Sequence, residues 1–496
     1  MEYLSTRDKT LRLPAAEAIK MGLSRDGGLF TPAEFPSLSP LEIEALCPMT
    51  YQQRAAYIMG KFLPDFTPEE LTDYAEKAYG PDKFDTDHAA PLRRVGGKTW
   101  CLELWHGPTS AFKDMALQML PQLLSASLRK TGENKTACIL VATSGDTGKA
   151  AMEGFADVPQ TKILVFYPRD GVSEIQKLQM VTQEGANVGV CAVEGNFDDA
   201  QNGVKRIFSD EAMRQELAGR GYFLSSANSI NWGRILPQVV YYVSAYCDLL
   251  NMGEIRLGDK VNYCVPTGNF GNILACHYAG KMGVPVGKLI CASNCNCNDV
   301  LTDFIRTGIY DRNRPFHTTM SPSMDILISS NLERLLFELS GGDDALVRQY
   351  MEELKTTGRY EITAVMKEKL QSMFYGGCAS EEDTTATITA LYADGYLIDT
   401  HTAVAAKVLE DYRRETGDDT IAVFASTASP YKFCDSVLPA IGEEPVSGSV
   451  DRIEQLEKAS GVSAPKRLAA LKGKTPRFDG VTKKEEMEKV VLDFLK

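Results

Sequence analysis

From about residue 98 onward, short apolar runs alternate with stretches whose apolar residues recur at helical spacing. The runs cover 138–142, 162–167, 188–193, 222–225, 260–265 and 289–292, and between them 172–184 and 198–217 carry the helical period. Runs that are apolar along their whole length suit strands covered on both faces, so the alternation predicts an α/β core with parallel-rich sheets flanked by helices. Before it, 14–23, 40–46, 50–62 and 68–79 read as helices, several opening with proline where its missing N–H costs least. The predicted organisation is a mostly helical N-terminal domain over 1–95 and an α/β core over 96–324. A helical insertion over 325–394 (LERLLFEL, ALVRQYMEEL, AVMKEKLQSMF) precedes a return to the core over 395–445 and a charged, peripheral segment over 446–496. The returning core carries a last strand at 420–425. There is no internal repeat and no low-complexity segment.

Composition narrows the function classes. With 44% apolar residues in 496, the chain can build a large core around a preformed cleft. A net charge of −13 disfavours nucleic acid as a partner, although a local cluster of donors can still bind a small anion. No apolar run approaches the roughly 18 residues that span a bilayer, and the opening MEYLSTRDK has no apolar signal segment. The expected location is the cytoplasm, with no membrane partner. The twelve cysteines are scattered, several in apolar runs (Cys138, Cys264), where reduced buried thiols are the rule. Cys291, Cys295 and Cys297 cluster, but their spacing fits no standard zinc pattern, and no metal is expected.

In an α/β core, chemistry sits in loops after strands, and four such loops stand out. In VNYCVPTGNFGN, residues 261–272, a strand runs into Gly268 and Gly271 and a helix begins at once. Glycines let backbone N–H groups converge, and a helix N-terminus adds positive potential, so the loop can cradle a phosphate; the same spacing also suits a plain tight turn. It is neither a Walker A loop nor GxGxxG. In VATSGDTG, residues 141–148, Ser144, Thr147 and the loop amides can form a second anion nest. Asp146 is out of place there unless it points away, orients the loop or caps the next helix. In LWHGPTSAFKD, residues 104–114, Lys113 lies near the start of an apolar helix. Both the helix dipole and burial would make its neutral amine more available, as a Schiff-base lysine requires; an isolated lysine of this kind also serves as an ordinary surface residue. Trp105 and Phe112 suit the core, and His106 can orient the loop as readily as transfer protons. Finally, STASPYKF at 426–433 follows a strand and offers hydroxyls that can hydrogen-bond a ring nitrogen, or simply make a turn before Pro430.

Together and in this order, these loops resemble the threonine synthase family, in its branch with a long N-terminal domain. YLSTRD and GLSRDGGLFTP match the family's opening, HGPTSAFKD its lysine motif, TSGDTGKAA its substrate loop and PTGNFGN its cofactor-phosphate loop. SSANSINWGRILPQ and STASPYKF match further blocks, and the resemblance runs from about residue 3 to 435. It implies the tryptophan-synthase-β-like fold (fold type II) and pyridoxal 5'-phosphate as cofactor. The implied activity is conversion of O-phospho-L-homoserine and water to L-threonine and phosphate by γ-elimination and β-addition, the last step of threonine biosynthesis. By the same resemblance Lys113 would hold the cofactor covalently and act as the catalytic base. The backbone of Gly268, Asn269, Phe270, Gly271 and Asn272 would bind the cofactor phosphate, and Thr427 would meet the ring nitrogen. Ser144, Gly145, Asp146 and Thr147 would contact the substrate. For the substrate phosphate, Arg234 is the candidate clamp, with Asn228, Ser229 and Asn231 as neutral donors and Lys177 and Arg7 as further candidates; an arginine tying two loops together is the alternative.

One departure stands out. Where many relatives read TAHPAKF, this chain has Thr427, Ala428, Ser429, Pro430, Tyr431, Lys432 and Phe433, which puts any role of that histidine in doubt. The competing expectations are a phospho-lyase or dehydratase of the same fold giving 2-oxobutyrate, or a non-catalytic relative. Oligomeric state and effector regulation stay open.

Overall fold

The computed structural model describes residues 1–496 apart from 144, 171 and 296–298, and apart from the side chains of 197 and 198. Two largely parallel sheets form its centre. The larger has six strands in the order Phe374–Ala379, Val286–Asn294, Val261–Pro266, Ala422–Ser426, Thr99–Glu103 and Leu92–Gly96, parallel except for the last pair. The smaller has five, all parallel: Val481–Lys483, Val188–Glu194, Thr161–Pro168, Thr136–Ala142 and Tyr222–Ser225. Their central strands are buried on both faces, which is why they read as unbroken apolar runs. The fold class expected from the alternation is thus the observed one.

The N-terminal helices start where local chemistry directs. Pro40–Leu46 and Pro68–Tyr79 follow Ser39 and Thr67, whose hydroxyls accept the backbone N–H of Glu42 and Glu70. Those carboxylates accept the N–H of the capping residue in return. The region also holds a three-stranded antiparallel sheet of Asp8–Leu13, Tyr3–Ser5 and Phe30–Pro32, too short to register as periodic runs. The Trp232–Asn251 helix runs through the interior and is apolar nearly all round, as a helix surrounded by others must be. Among the described residues no helix is long and apolar enough to cross a membrane.

Two later segments differ from the expected pattern. Within 325–394, Phe374–Ala379 is not helical but pairs in parallel with Val286–Asn294 at the edge of the larger sheet. Its sequence, FYGGCA, carries a weak strand signal because two glycines interrupt it. Gly376 has a packing reason: a Cβ there would lie 3.0 Å from the Cα of Thr302. Within 446–496, Val481–Lys483 extends the smaller sheet, and Met487 and Val491 of the following helix are buried against that sheet's outer face.

The cysteines bring one further difference. Cys295 and Cys378 form a disulfide, with Cα atoms 5.1 Å apart. The neighbouring strands Val286–Asn294 and Phe374–Ala379 bring the two together, a pairing that spacing alone could not indicate. Cys291 is buried, Cys297 lies outside the described residues, and among the described residues no group of three His, Cys, Asp or Glu side chains is placed to hold a metal.

Candidate active site

Lys113 opens the Lys113–Leu117 helix, and its position is fixed from both sides. Upstream, Asp114 accepts the backbone N–H and the hydroxyl of Thr109 at 2.7 and 2.8 Å, which closes the loop. Gly107 must be small because a Cβ there would lie 2.6 Å from that of Asp114. On the other side, residues 110–112 pair with 427–429. Phe112 N–H donates to Thr427 O at 2.8 Å, Ser429 N–H donates to Ser110 O at 3.0 Å, and Ala111 bridges Ala428. This pairing sets Thr427 against Phe112, the residue that precedes Lys113. The lysine keeps some surface, yet protein crowds it, and the resulting desolvation brings its amine down to about 8. Asp146 opposes that shift, while the positive charges of Lys432 and Arg234 add to it.

The loop after Val261–Pro266 turns into the Gly271–Met282 helix through Phe270, which sits in the left-handed region at φ 63°. Among the described residues no side chain caps that helix, so its first N–H groups can take a ligand. A Cβ on Gly268 would lie 2.8 Å from the carbonyl oxygen of Ser323, so only glycine fits there. Asn269 is exposed, while Phe270 is buried with its ring 5.6 Å from that of Phe374, leaving only its backbone for a ligand. Asn272 carries the most telling atom. Its Oδ1 accepts both Tyr241 and Tyr242 hydroxyls at 2.6 Å, whereas its buried Nδ2 has no partner. A buried amide donor without an acceptor is costly, and a phosphate oxygen would satisfy it. The cradle and a nearby low-pKa lysine fit a phosphorylated aldehyde.

The loop after Thr136–Ala142 is drawn together by Thr143, whose hydroxyl accepts the N–H of Gly145 and Gly148 at 3.0 and 2.9 Å. Gly145 has φ 137°, and a Cβ there would run into Gln176. Thr147 is half-buried; Ser144 lies outside the described residues. Asp146 neither caps the helix nor faces a ligand as a bare carboxylate. Its Oδ1 sits 2.6 Å from Lys432 Nζ and 3.0 Å from Gln176 Nε2, and despite burial these partners and Lys113 hold its carboxyl well below the usual range. Lys432 also donates to Thr109 O at 2.9 Å. The charge of Asp146 is thus balanced by a buried lysine.

Arg234, in the first turn of Trp232–Asn251, is 3% exposed. It donates to Ala227 O, its Nε has no partner, and among the described residues no carboxylate pairs with it. Burial brings even this guanidinium down to about 10, with Tyr241 opposing. Asn231 is engaged by protein partners. Its Oδ1 accepts Gly233 N–H at 2.9 Å and its Nδ2 donates to Ile19 O at 3.0 Å, so the residue caps the helix and ties it to the N-terminal region. Arg7 is held by Glu333 at 2.9 and 2.8 Å, and Lys177 is exposed. Of the cationic candidates, Arg234 alone is buried near Lys113 without a counter-charge.

His106 is held between two carboxylates. Nδ1 lies 2.6 Å from Asp85 Oδ1 and Nε2 2.9 Å from Glu103 Oε2, with Trp105 stacked at 4.2 Å. Burial disfavours its charge, but the two carboxylates win and raise its pKa. Ser429 is buried, its hydroxyl accepting Tyr431 N–H, and Tyr431 extends away to bond Val462 O. Sequence reasoning passed over Lys432, although it lies inside a recognised block. It also passed over Ser329 and Asn331, which brace the cradle through Gly268 O (2.7 Å) and Asn269 O (3.1 Å). Asn331 Nδ2 bonds Ser229 Oγ at 3.1 Å. The only signal for these was a polar SSN at the start of a stretch read as an insertion.

Comparison with known proteins adds three kinds of likeness. Family models described as threonine synthase N terminus, pyridoxal-phosphate dependent enzyme, and threonine synthase, C-terminal, match residues 2–79, 87–427 and 402–491. Threonine synthase-like 1 of Homo sapiens is 43% identical over 86% of this chain, which spans 58% of that protein's length. Threonine synthase of Pseudomonas aeruginosa is 39% identical over 90% of this chain and 92% of its own. The crystal structure of threonine synthase with bound pyridoxal phosphate from Brucella melitensis covers both chains fully, at 37% identity and a TM-score of 0.88.

Proposed function

The chain belongs to the threonine synthase family of pyridoxal-phosphate-dependent enzymes, and we propose that it converts O-phospho-L-homoserine and water to L-threonine and phosphate. The observation that carries this reading is Arg234, a buried guanidinium that no carboxylate among the described residues pairs, close enough to Lys113 to lower its pKa. Two candidate anion receptors and one reactive amine are what a phosphorylated cofactor and a phosphorylated substrate require.

Pyridoxal phosphate, when bound, supplies the electron sink that stabilises negative charge at the substrate α-carbon. Lys113 would hold it covalently, the amides of 268–272 and Asn272 Nδ2 would take its phosphate, and the Thr427 hydroxyl would meet the ring nitrogen without protonating it. Once its amine is free, Lys113 takes and returns protons at Cα and Cβ of the substrate. A pKa of about 8 leaves a useful neutral fraction near neutral pH. Arg234, joined by Ser229 and Asn228, would grip the leaving phosphate, and Ser144, Gly145 and Thr147 the substrate carboxylate. Asp146 and Lys432 set the shape and charge of that loop.

A second reading, release of 2-oxobutyrate, rests on Ser429, which stands where many relatives carry a histidine and is buried with its hydroxyl accepting Tyr431 N–H. Incubating the purified protein with O-phosphohomoserine and resolving threonine, 2-oxobutyrate and phosphate separates the two. Threonine in step with phosphate is expected; phosphate release without threonine would overturn the assignment.

A further inference from the structure

Two cysteines far apart in the chain meet where the N-terminal helices dock on the core. Cys47 ends the Pro40–Leu46 helix, and Cys247 lies near the end of Trp232–Asn251. Both thiols donate to one oxygen: Cys47 Sγ is 3.4 Å and Cys247 Sγ 3.8 Å from Ile43 O, so a single carbonyl brings the two sulfurs together. The surrounding backbone is held firmly. Arg54 donates to Leu46 O at 2.9 Å, Cys47 O at 2.8 Å and Asp248 Oδ1 at 2.6 Å, and Asn251 Nδ2 donates to Cys47 O at 2.8 Å.

Their environments differ in the way a reactive pair needs. Cys47 reaches the surface, whereas every other free cysteine among the described residues is buried. The neighbouring Cys247 thiol lowers the pKa of the Cys47 thiol. Burial, Asp248 and Glu44 oppose this and Arg54 assists it, while the Cys247 thiol is pushed up.

We propose that Cys47 and Cys247 form an oxidation site, at which a small hydroperoxide enters at Cys47 and the pair closes to a disulfide between the N-terminal region and the core. The Cys47 thiolate attacks the terminal oxygen of the hydroperoxide. The O–O bond breaks, the alcohol leaves with a proton, and Cys47 becomes a sulfenic acid. The Cys247 sulfur then loses its proton and attacks the Cys47 sulfur; the S–O bond breaks, water leaves and the S–S bond forms. Two thiols give up two electrons and two protons, and the hydroperoxide is reduced to alcohol and water. Neither cysteine belongs to the cleft around Lys113, so the site is independent of the proposed reaction.

The test treats the cofactor-loaded, pre-reduced full chain with hydrogen peroxide, blocks remaining thiols, and maps non-reduced peptides by mass. A Cys47–Cys247 cross-linked peptide is expected before oxidation of any other free cysteine. In Cys247→Ala a sulfenic acid should instead be trapped at Cys47 by dimedone, and in Cys47→Ala Cys247 should stay reduced. Alkylation of Cys47 at neutral pH should be about tenfold faster in the native chain than in Cys247→Ala, a readout that needs only the folded protein. Cys47 left free, or oxidised to a sulfinic acid without the cross-link, would overturn the proposal.

Discussion

Lys432 places its ammonium 2.6 Å from an oxygen of Asp146, and neither side chain reaches solvent. Removing one partner strands a buried charge, which costs roughly 3–5 kcal/mol. Asp146→Asn and Lys432→Met should each lower the urea midpoint strongly, and the double variant should lose much less than the sum. Additive losses would show that the two charges act independently.

Gly268 faces the Ser323 carbonyl so closely that Gly268→Ala must displace either the 321–325 segment or the cradle. Cofactor affinity should fall at least about tenfold, a loss of about 1.4 kcal/mol, read from the visible absorbance during titration with pyridoxal phosphate. Gly219→Ala, where nothing lies within 4 Å of the added methyl, is the matched control and should bind normally.

Lys113 is reactive only as the neutral amine. Reloading of the cofactor-free protein should therefore accelerate with pH and level off above a midpoint of about 8. A midpoint near the 10.4 of a free lysine would mean that the amine is not desolvated. Lys113→Arg should bind the cofactor only reversibly, with no adduct after borohydride treatment.

His106 between Asp85 and Glu103 has a pKa raised above its unfolded value of about 6.5. Its contribution to stability is full below that value and is lost as pH rises through the raised one. Melting temperature should decline over that window in the native chain. His106→Gln should be less stable at the acidic end and show a flatter profile.

The sequence made legible what a run or a motif encodes locally. The central strands of both sheets, the capped helices at Pro40–Leu46 and Pro68–Tyr79, and the Gly268 and Lys113 loops are all of this kind. What it concealed depends on contacts between distant segments. Asp146 looked misplaced until the fold supplied Lys432, and the bonds of Asn231 to Ile19 and Gly233 could not be read from its identity. Phe374–Ala379 was hidden because Gly376, which admits the Val300–Thr307 helix, and Gly377, which admits Val408, also erase the strand's apolar signature. The brace from Ser329 and Asn331 was hidden because its partners are backbone carbonyls, which leave no trace in residue identity.

The pairing of residues 110–112 with 427–429 has a consequence for synthesis. The lysine loop emerges early from the ribosome, but the strand segment that sets Thr427 against Phe112, and the ammonium that neutralises Asp146, are among the last core residues to be made. A nascent chain ending before residue 427 carries the amine without the frame that orients it. The candidate site therefore closes late, and a nascent chain that has not yet released residues 427–432 carries it incomplete.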